Sequence, residues 1–443
     1  MKTFRDVRFQ KQTLKSGLTV ILVPVKGVES ATVLVYVGTG SRYEPSKWAG
    51  ISHFLEHMVF KGTKKYPTPM ALSAAIDAVG AEFNAFTSKD VTAYYVKAAS
   101  NNVDLALDVV SDMLLTPKLL TADLEREKGV IVEEMHMYLD MPSRNIGNIF
   151  EELMYAGSNL GPDVIGTEKT VRALKREDFA EYIRQWYGQG NVVVTIAGDA
   201  EVVNAPDLVK RIEKYFSKQG EVSKRENGGT RNFNGAPRFG LSLLERVRVD
   251  YKKTDQAHFI MAMPGLKRGH KDRFAANVLS ALFGGYMSSR LFTEVREKRG
   301  LCYYVRSDLD SYHETGLFGA SAGVDPARVE EAIKVVRQEL EHLIDTTGPR
   351  KITQAEITRA KDHIIGKIML SLEDTENIAN MYGSHQVLLG EIESVKDMLE
   401  GINAVTLADV RRVAKDLVKI KELRFAMIGP FKDKKVFEKL LKA

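Results

Sequence analysis

Three ionisable residues lie within five positions of the segment GISHFLEHMVFKGT, which covers residues 50–63. The rest of the segment is mostly apolar or small, and we predict that it is a helix. His53 and His57 are then four residues apart, so both imidazoles project from one helix face. Two neutral imidazoles placed in this way can hold one divalent ion, and zinc suits them. The spacing therefore predicts a zinc site.

Glu56 immediately precedes His57, on the neighbouring part of the same helix face. From there its carboxylate can reach a metal-bound water without ligating the metal. Zinc lowers the pKa of its water to about 7, so that a carboxylate can take the proton. We therefore predict that Glu56 is a general base. The bland alternative is a pair of core histidines that are hydrogen-bonded to backbone.

A catalytic zinc usually has three protein ligands and one water, so a third ligand must come from another element. The segment TADLEREKGVIVEEMHMYLD, residues 121–140, is predicted to be a helix. Its Glu127 and Glu134 are seven residues apart and share one face, which also carries Val130 and Ile131. We expect this face to point inward, where a carboxylate is costly unless it is paired or metal-bound.

Two other residues of that segment compete for the role of third ligand. They are Glu133 and His136, and the spacing alone does not exclude either of them. A structural zinc site is a further alternative, although such a site is usually closed by a fourth protein ligand, often cysteine. The only cysteine of the chain, Cys302, is far from these residues in the sequence.

The elements that would position these residues occur twice along the chain. Three pairs of segments repeat the same pattern in the same order, the first two at an offset of 226 residues and the third at 231. The pairs are 31–37 with 257–263, 101–115 with 327–341, and 178–199 with 409–430. Each half begins with strands and then alternates helices and strands, so we predict an α+β fold of two homologous domains, each a β-sheet packed with helices.

The second copy lacks the ionisable residues of the first. At an offset of 226, the first histidine of the motif falls on Leu279, the glutamate on Leu282 and the second histidine on Phe283. The scaffold therefore does not require these charges. We predict three regions: a zinc-binding catalytic domain at 1–220, a polar linker at 221–240, and a metal-free domain at 241–443 that completes the substrate site.

The composition is that of an ordinary soluble protein, with 44% hydrophobic and 27% charged residues. The net charge of +5 is small for 443 residues and gives no reason to expect nucleic acid as a partner. No stretch reaches the roughly 18 apolar residues of a membrane span, and the first residues lack the apolar run of a signal peptide. We expect a cytoplasmic protein without nucleic-acid or membrane partners.

The motif H-x-x-E-H is the inverted zincin motif. Together with its flanking residues and the Glu134 of EREKGVIVEEM, it resembles the pitrilysin/insulinase family of zinc peptidases, and the resemblance covers essentially the whole chain. It is closest in style to processing peptidases and their single-chain prokaryotic counterparts. The resemblance implies one zinc ion per chain, with His53, His57 and Glu134 as ligands and Glu56 as the base. It also implies that Glu127 is an acid outside the ligand set, which orients the site.

A second segment with this resemblance is GAEFNAFTSKDVTAYYV, residues 80–96. It is similar to the edge strand on which the family binds substrate. An extended peptide would pair with the backbone near Asn84, Ala85 and Phe86, adding a strand to the sheet. An ordinary sheet strand is the alternative reading of the same residues.

A third segment, SSRLFTEVREKRGLCYYV at residues 288–305, resembles a family segment that has an arginine and a tyrosine seven positions apart. Arg296 and Tyr303 occupy those positions. The resemblance implies that Tyr303 donates to the oxyanion of the tetrahedral intermediate and that Arg296 binds substrate carbonyls. Tyr304 is expected to point to the opposite face of its strand.

These observations predict a zinc-dependent endopeptidase that hydrolyses extended or unfolded peptides in a cavity between the two domains. The resemblance implies a homodimer, or a heterodimer with a metal-free paralogue. The alternative function is a non-catalytic zinc-binding subunit that serves assembly or acts as a processing partner. Such partner subunits often lose the metal residues, whereas this chain keeps them all, and this favours the enzyme.

Overall fold

The computed structural model describes residues 7–217 and 241–442, and the predicted linker at 221–240 lies outside these ranges. The strands are β1 (Gln10–Thr13), β2 (Thr19–Val25), β3 (Ser30–Val37), β4 (Glu82–Thr87), β5 (Thr92–Ala99), β6 (Val192–Asp199), β7 (Val247–Tyr251), β8 (Ala257–Pro264), β9 (Cys302–Ser311), β10 (Gly316–Val324) and β11 (Arg424–Gly429).

The helices alternate with these strands. They are α1 (Ile51–Val59), α2 (Pro69–Asp77), α3 (Val103–Leu115), α4 (Thr121–Asp140), α5 (Pro142–Met154), α6 (Glu168–Ala173), α7 (Arg176–Trp186), α8 (Ala200–Val203), α9 (Leu208–Ser217), α10 (Arg273–Ser280), α11 (Val329–His342), α12 (Gln354–Ser371), α13 (Thr375–Leu389), α14 (Val395–Ala404), α15 (Leu407–Leu417) and α16 (Lys435–Lys442). In the part of the chain that the structure describes, none of them combines the length and hydrophobicity needed to cross a bilayer.

The two sheets repeat one topology. The first has the strand order β1-β2-β6-β3-β5-β4 and the second has the order β7-β11-β8-β10-β9. Each contains one parallel pair, β2 with β6 and β7 with β11, and its other pairs are antiparallel. Apart from β1, every strand of the first sheet has a counterpart in the second. The predicted duplication of an α+β domain is therefore confirmed.

The described chain packs as two compact units, and each unit is built from three segments. The first unit contains 7–135, 162–217 and 370–397, and the second contains 136–161, 241–369 and 398–442. Each unit thus includes one helix from the other half of the sequence, α13 in the first and α5 in the second. The continuous domain bounds predicted from the sequence do not include this exchange.

The exchanged helices pack on the sheets through specific contacts. In the first unit, the Thr375 hydroxyl of α13 lies 2.8 Å from that of Thr32 on β3, and the Tyr36 hydroxyl donates to Asn380. In the second unit, apolar residues of α5 pack against β8 and β11 in one hydrophobic cluster. Both helices therefore belong to the cores of the units in which they lie.

The second unit shows what replaces the ionisable motif. Leu279 lies in the last turn of α10, and Leu282 and Phe283 lie in the π-helical turn Ala281–Gly285 that continues it. All three side chains are fully buried in the main hydrophobic core of that unit. At this place the scaffold is stable with apolar side chains, so the charges of the first copy are not needed for folding.

Gly383 lies where α13 packs closely against the first sheet. A Cβ atom there would lie 2.8 Å from Thr195 Oγ1 and 2.9 Å from the Tyr36 ring, and both side chains are buried. We predict that Gly383→Ala lowers the free energy of unfolding by about 1–3 kcal/mol, as overpacking does. Urea unfolding followed by circular dichroism measures this.

The matched control is Gly129→Ala on α4, in the same unit. A Cβ atom at Gly129 has no neighbour within 4 Å among the described residues. The control should raise stability by about 0.5–1 kcal/mol, because alanine favours the helix. An equal gain at Gly383 would contradict the close packing of α13.

Candidate metal centre

Two helices of the first unit carry the predicted metal residues. His53, Glu56 and His57 lie on α1, which the sequence correctly predicted to be a helix, while Glu127 and Glu134 lie on α4. The apolar side of α1 is completely buried in the core and fixes the helix there; its residues are Ile51, Phe54, Leu55 and Met58. The opposite side of α1 presents the imidazoles to α4.

The two imidazoles and one carboxylate converge on a single point. Glu134 Oε2 lies 3.4 Å from His57 Nε2 and 3.6 Å from His53 Nε2. These three residues form the only group of three or more His, Cys, Asp or Glu residues with metal-ligand spacing in the described ranges. Glu133 and His136, the alternatives left open by the sequence, are exposed and do not belong to the group.

The spacing of the three groups fits a zinc ion. Ligand atoms at 2.0–2.1 Å from a tetrahedral zinc lie roughly 3.3–3.4 Å apart. The observed separations from Glu134 are close to this value and are longer than ordinary hydrogen bonds of about 2.9 Å. Two imidazole nitrogens and one carboxylate oxygen are also the donor set of a catalytic zinc with one open position. These residues would hold the metal.

Glu127 lies behind His57 rather than beside the ligands. Its Oε1 is 2.9 Å from His57 Nδ1, and its Oε2 is 2.6 Å from the Lys61 ammonium. Burial raises the pKa of Glu127, but the bonds from His57 and Lys61 outweigh it and the net pKa is lowered. An ionised Glu127 accepts a hydrogen bond from the Nδ1–H group of His57, so that Nε2 is the nitrogen that can bind a metal.

Lys61 is a residue that the sequence analysis missed. It lies two residues beyond the end of α1, outside the helical pattern that drew attention to the histidines. Its ammonium is the cation that balances the buried Glu127 carboxylate. The only sequence signal for it was a lysine close to the motif, and this is too common to be informative.

One expectation about α4 was wrong. Val130 is half exposed, whereas Ile131 is fully buried. The buried stripe of α4 runs through Leu124, Glu127 and Ile131, with Lys128 beside it. At about 100° per residue, Ile131 falls about 40° from Glu127, on the same side as Leu124, while Val130 falls about 60° to the other side. The inward position of Glu127 is unaffected.

Glu56 is held by the end of an edge strand. The Thr87 hydroxyl, at the last residue of β4, donates to Glu56 Oε2 at 2.5 Å. Burial raises the pKa of Glu56, and the hydrogen bond from Thr87 opposes that rise. A carboxylate with a raised pKa is a stronger base, so it takes a proton from water more readily.

The two imidazoles titrate differently. Burial, together with the neighbouring His57, lowers the pKa of His53 to about 4, so this ring is neutral and ready to bind a metal. Burial also lowers the pKa of His57, but its contacts with Glu127 and Glu134 prevail and raise the pKa to about 9. A metal ion must then displace a proton from His57, so metal affinity rises with pH.

The residues predicted to bind substrate lie on β4. This strand pairs with β5 on one side, and no described strand pairs with its other side. Asn84 and Phe86 are exposed and Ala85 is buried, which is the alternation expected for a strand with one covered face. The open backbone edge is available for pairing, and the binding of peptide there stays a prediction.

Arg296 and Tyr303 belong to the second unit. The Arg296 guanidinium lies 5.6 Å from the centre of the Tyr303 ring, which is 74% exposed on β9. Tyr304 points to the other face, as alternation predicts, and its hydroxyl lies 3.1 Å from His258 Nδ1. What Arg296 and Tyr303 do to a substrate stays a prediction.

Comparisons with known proteins match both halves of the chain. Residues 19–168 match the family described as insulinase (peptidase family M16), and residues 173–364 match the peptidase M16 inactive domain. The chain is 39% identical to an uncharacterized zinc protease of Streptomyces coelicolor, covering 96% of this chain and 90% of that protein. It is 32% identical to a probable mitochondrial-processing peptidase subunit beta of Schizosaccharomyces pombe, covering 94% and 90%.

Solved structures share the fold. A crystal structure of a protease from Helicobacter pylori has a TM-score of 0.81 at 22% identity, covering 96% of this chain and all of that one. A peptidase M16 inactive domain from Pseudomonas fluorescens has a TM-score of 0.85 at 18% identity, covering 96% and 98%. These likenesses confirm the two-domain α+β fold.

The contacts of Glu127 predict how metal affinity responds to its removal. Glu127→Gln keeps the shape but loses the charge between His57 and Lys61, and Lys61→Met removes the balancing cation. We expect zinc affinity to fall about 10–100-fold in Glu127→Gln, as it does when a residue that hydrogen-bonds a metal ligand is replaced. It should fall less in Lys61→Met. Competition with a chromophoric chelator measures both affinities.

The control for this experiment is Glu125→Gln on the same helix. Glu125 pairs with Lys128 at 2.7 Å and is mostly exposed. Zinc affinity should not change in this variant. If Glu127→Gln bound zinc as tightly as the control, the assignment of Glu127 as an outer acid would be wrong.

Proposed function

Because this chain belongs to the insulinase family, peptidase family M16, we propose that it is a zinc-dependent endopeptidase. The observation that carries the proposal is the group of His53, His57 and Glu134 at ligand spacing, with Glu56 on the same helix. Names of relatives support it, since several are called zinc proteases.

The chemistry divides between the metal and the side chains around it. Zinc, when bound, polarises a peptide carbonyl and makes water a nucleophile at neutral pH. His53, His57 and Glu134 hold the ion, and Glu127 fixes the ring of His57. Glu56 takes a proton from the attacking water at its carboxylate and then passes it to the leaving amine.

The open edge of β4 favours extended peptides as substrates. A peptide that adds to this edge must have its own backbone N–H and C=O groups unpaired. Strands inside a folded protein already use these groups, so unfolded or extended segments are the better substrates. We propose that such a peptide lies along Asn84, Ala85 and Phe86, within a cavity between the two domains.

The remaining parts of the proposal concern the whole protein. The second domain completes the site without binding metal, since its equivalent positions are Leu279, Leu282 and Phe283, and one zinc ion is bound per chain. The protein works in the cytoplasm as a homodimer, or as a heterodimer with a metal-free paralogue. The competing function is a non-catalytic zinc-binding partner subunit, and retention of the complete motif argues against it.

Replacement of Glu56 tests the proposed function. Glu56→Gln keeps the size of the side chain but removes the base, so zinc content should stay at one ion per chain. Peptide hydrolysis should fall by roughly two or more orders of magnitude. Zinc is measured by mass spectrometry of the metal, and turnover is measured on a mixed peptide library.

The control here is Glu133→Gln, on an exposed glutamate next to Glu134. It should retain both zinc and turnover. Hydrolysis by Glu56→Gln at the wild-type rate would refute the role of the base. If the wild type binds zinc but cleaves no peptide, the chain is a binding subunit instead.

A second experiment tests the contribution of the metal-free domain. Tyr303→Phe removes one exposed hydroxyl and preserves the ring. We predict a fall in kcat of about 10²–10³ with unchanged zinc content, as expected for the loss of one oxyanion donor. Tyr304→Phe is the matched control, and it should be nearly silent because its hydroxyl faces His258. Equal kcat values for the wild type and Tyr303→Phe would leave the second domain as scaffold.

A further inference from the structure

The first turn of α1 is held by a residue that the chemistry above does not use. The two oxygens of Glu44 accept hydrogen bonds from the N–H groups of Gly50 and Ser52, both at 2.7 Å. Glu44 lies outside the helix and contacts its first turn. We propose that Glu44 is a positioning residue of the zinc site, which fixes the first turn of α1 and thereby places His53 at ligand distance from Glu134.

The start of α1 cannot cap itself. Helices usually begin with a residue whose side chain accepts a hydrogen bond from the first turn, but the residue before α1 is Gly50. Its φ of 96° is in the left-handed region that favours glycine. A Cβ atom there would also lie 2.5 Å from the Ile165 carbonyl oxygen, so a capping serine or aspartate does not fit. The acceptor must come from elsewhere, and Glu44 supplies it.

The same turn is held on a second side. The Ser52 hydroxyl lies 2.7 Å from the Tyr182 hydroxyl, which lies 2.9 Å from that of Thr39. All three residues are fully buried. Ser52 is therefore fixed both through its backbone N–H, by Glu44, and through its side chain, by Tyr182. It immediately precedes His53, so these bonds define where the backbone of His53 lies.

His53 depends on its backbone more than His57 does. The ring of His57 is oriented through Nδ1 by Glu127. The Nδ1 atom of His53 is buried and has no hydrogen-bond partner among the described residues. No outer acid therefore sets the angle of the His53 ring, and its placement comes from the packing and position of the first turn. Loss of the Glu44 bonds consequently acts on this ligand first.

The test compares two partly buried carboxylates, each of which accepts two N–H groups. Glu44→Gln replaces one carboxylate oxygen by an amide NH2 group, which then faces a backbone N–H donor. The zinc dissociation constant of the full chain should rise about 10–100-fold, the range seen for outer residues of metal sites. The visible absorption bands of the cobalt-loaded protein should also change, because they report ligand geometry. Neither readout depends on peptide hydrolysis, so they stand apart from the proposed enzyme activity.

Asp178→Asn is the matched control. Its carboxylate also accepts two N–H groups in the first unit, from Trp48 Nε1 at 2.9 Å and from Lys175 at 2.8 Å, but neither belongs to α1. We expect both variants to lose thermal stability and only Glu44→Gln to lose zinc affinity. Wild-type zinc affinity and a wild-type cobalt spectrum in folded Glu44→Gln would overturn the proposal.

A second variant covers the case in which Glu44→Gln does not fold. Glu44→Asp keeps the negative charge near the helix start but is too short to bond both N–H groups. Its zinc dissociation constant should lie above that of the wild type, with an altered cobalt spectrum. A wild-type value in folded Glu44→Asp, when Glu44→Gln is unfolded, would show that Glu44 serves folding alone.

Discussion

The Glu134 carboxylate, facing two imidazoles from another helix, is the contact on which the organisation of the metal centre depends. A carboxylate in such a place is unfavourable unless a cation or a metal compensates it. Keeping Glu134 at 3.4 and 3.6 Å from the two rings requires α1 and α4 to be fixed independently. The apolar side of α1 is buried in the core and fixes that helix. The buried stripe of α4 fixes α4 in the same way. The polar residues around the site then adjust positions that packing has already fixed.

These polar residues form two separate supports. His57 is linked through Glu127 to Lys61, a line of contacts in which each charge has an opposite neighbour. His53 lacks such a line and relies on the first turn of its helix, where Glu44 and Tyr182 act. The duplicated half clarifies why both supports are needed. There the equivalent positions are core leucines and a phenylalanine, so the scaffold is stable with no charge to balance. The supports accompany the ionisable residues and are not part of the shared fold.

The sequence predicted what is periodic or local and missed what depends on tertiary contact. The helix of the motif, the strand at 31–37 and its counterpart at 257–263, and the duplication were all read from regular spacing, and the structure has them. The third ligand stayed open among Glu134, Glu133 and His136, because helical spacing gives the direction of a side chain and not its distance to another element. The exchange of α5 and α13 left no signal, since an amphipathic helix packs equally well on either of two similar sheets. Lys61 and Glu44 were missed for the same reason: their partners lie on other elements, and no short pattern connects a lysine or a glutamate to a contact that the fold creates.

The hydrogen bond from Thr87 to Glu56 connects two parts of the proposed reaction. Thr87 is the last residue of β4, the strand whose open edge would bind the peptide, and Glu56 is the proposed base on α1. A peptide paired with β4 would therefore lie on the same strand that orients the base. The positions of the scissile bond and of the Glu56 carboxylate would both be set by β4. The bond also balances the pKa of Glu56, which burial raises and the Thr87 hydroxyl lowers. A base that must first accept a proton and then release it to an amine benefits from such opposed influences, because neither the charged nor the neutral form becomes too stable. In the proposed reaction, substrate position and proton transfer would thus both depend on the strand β4.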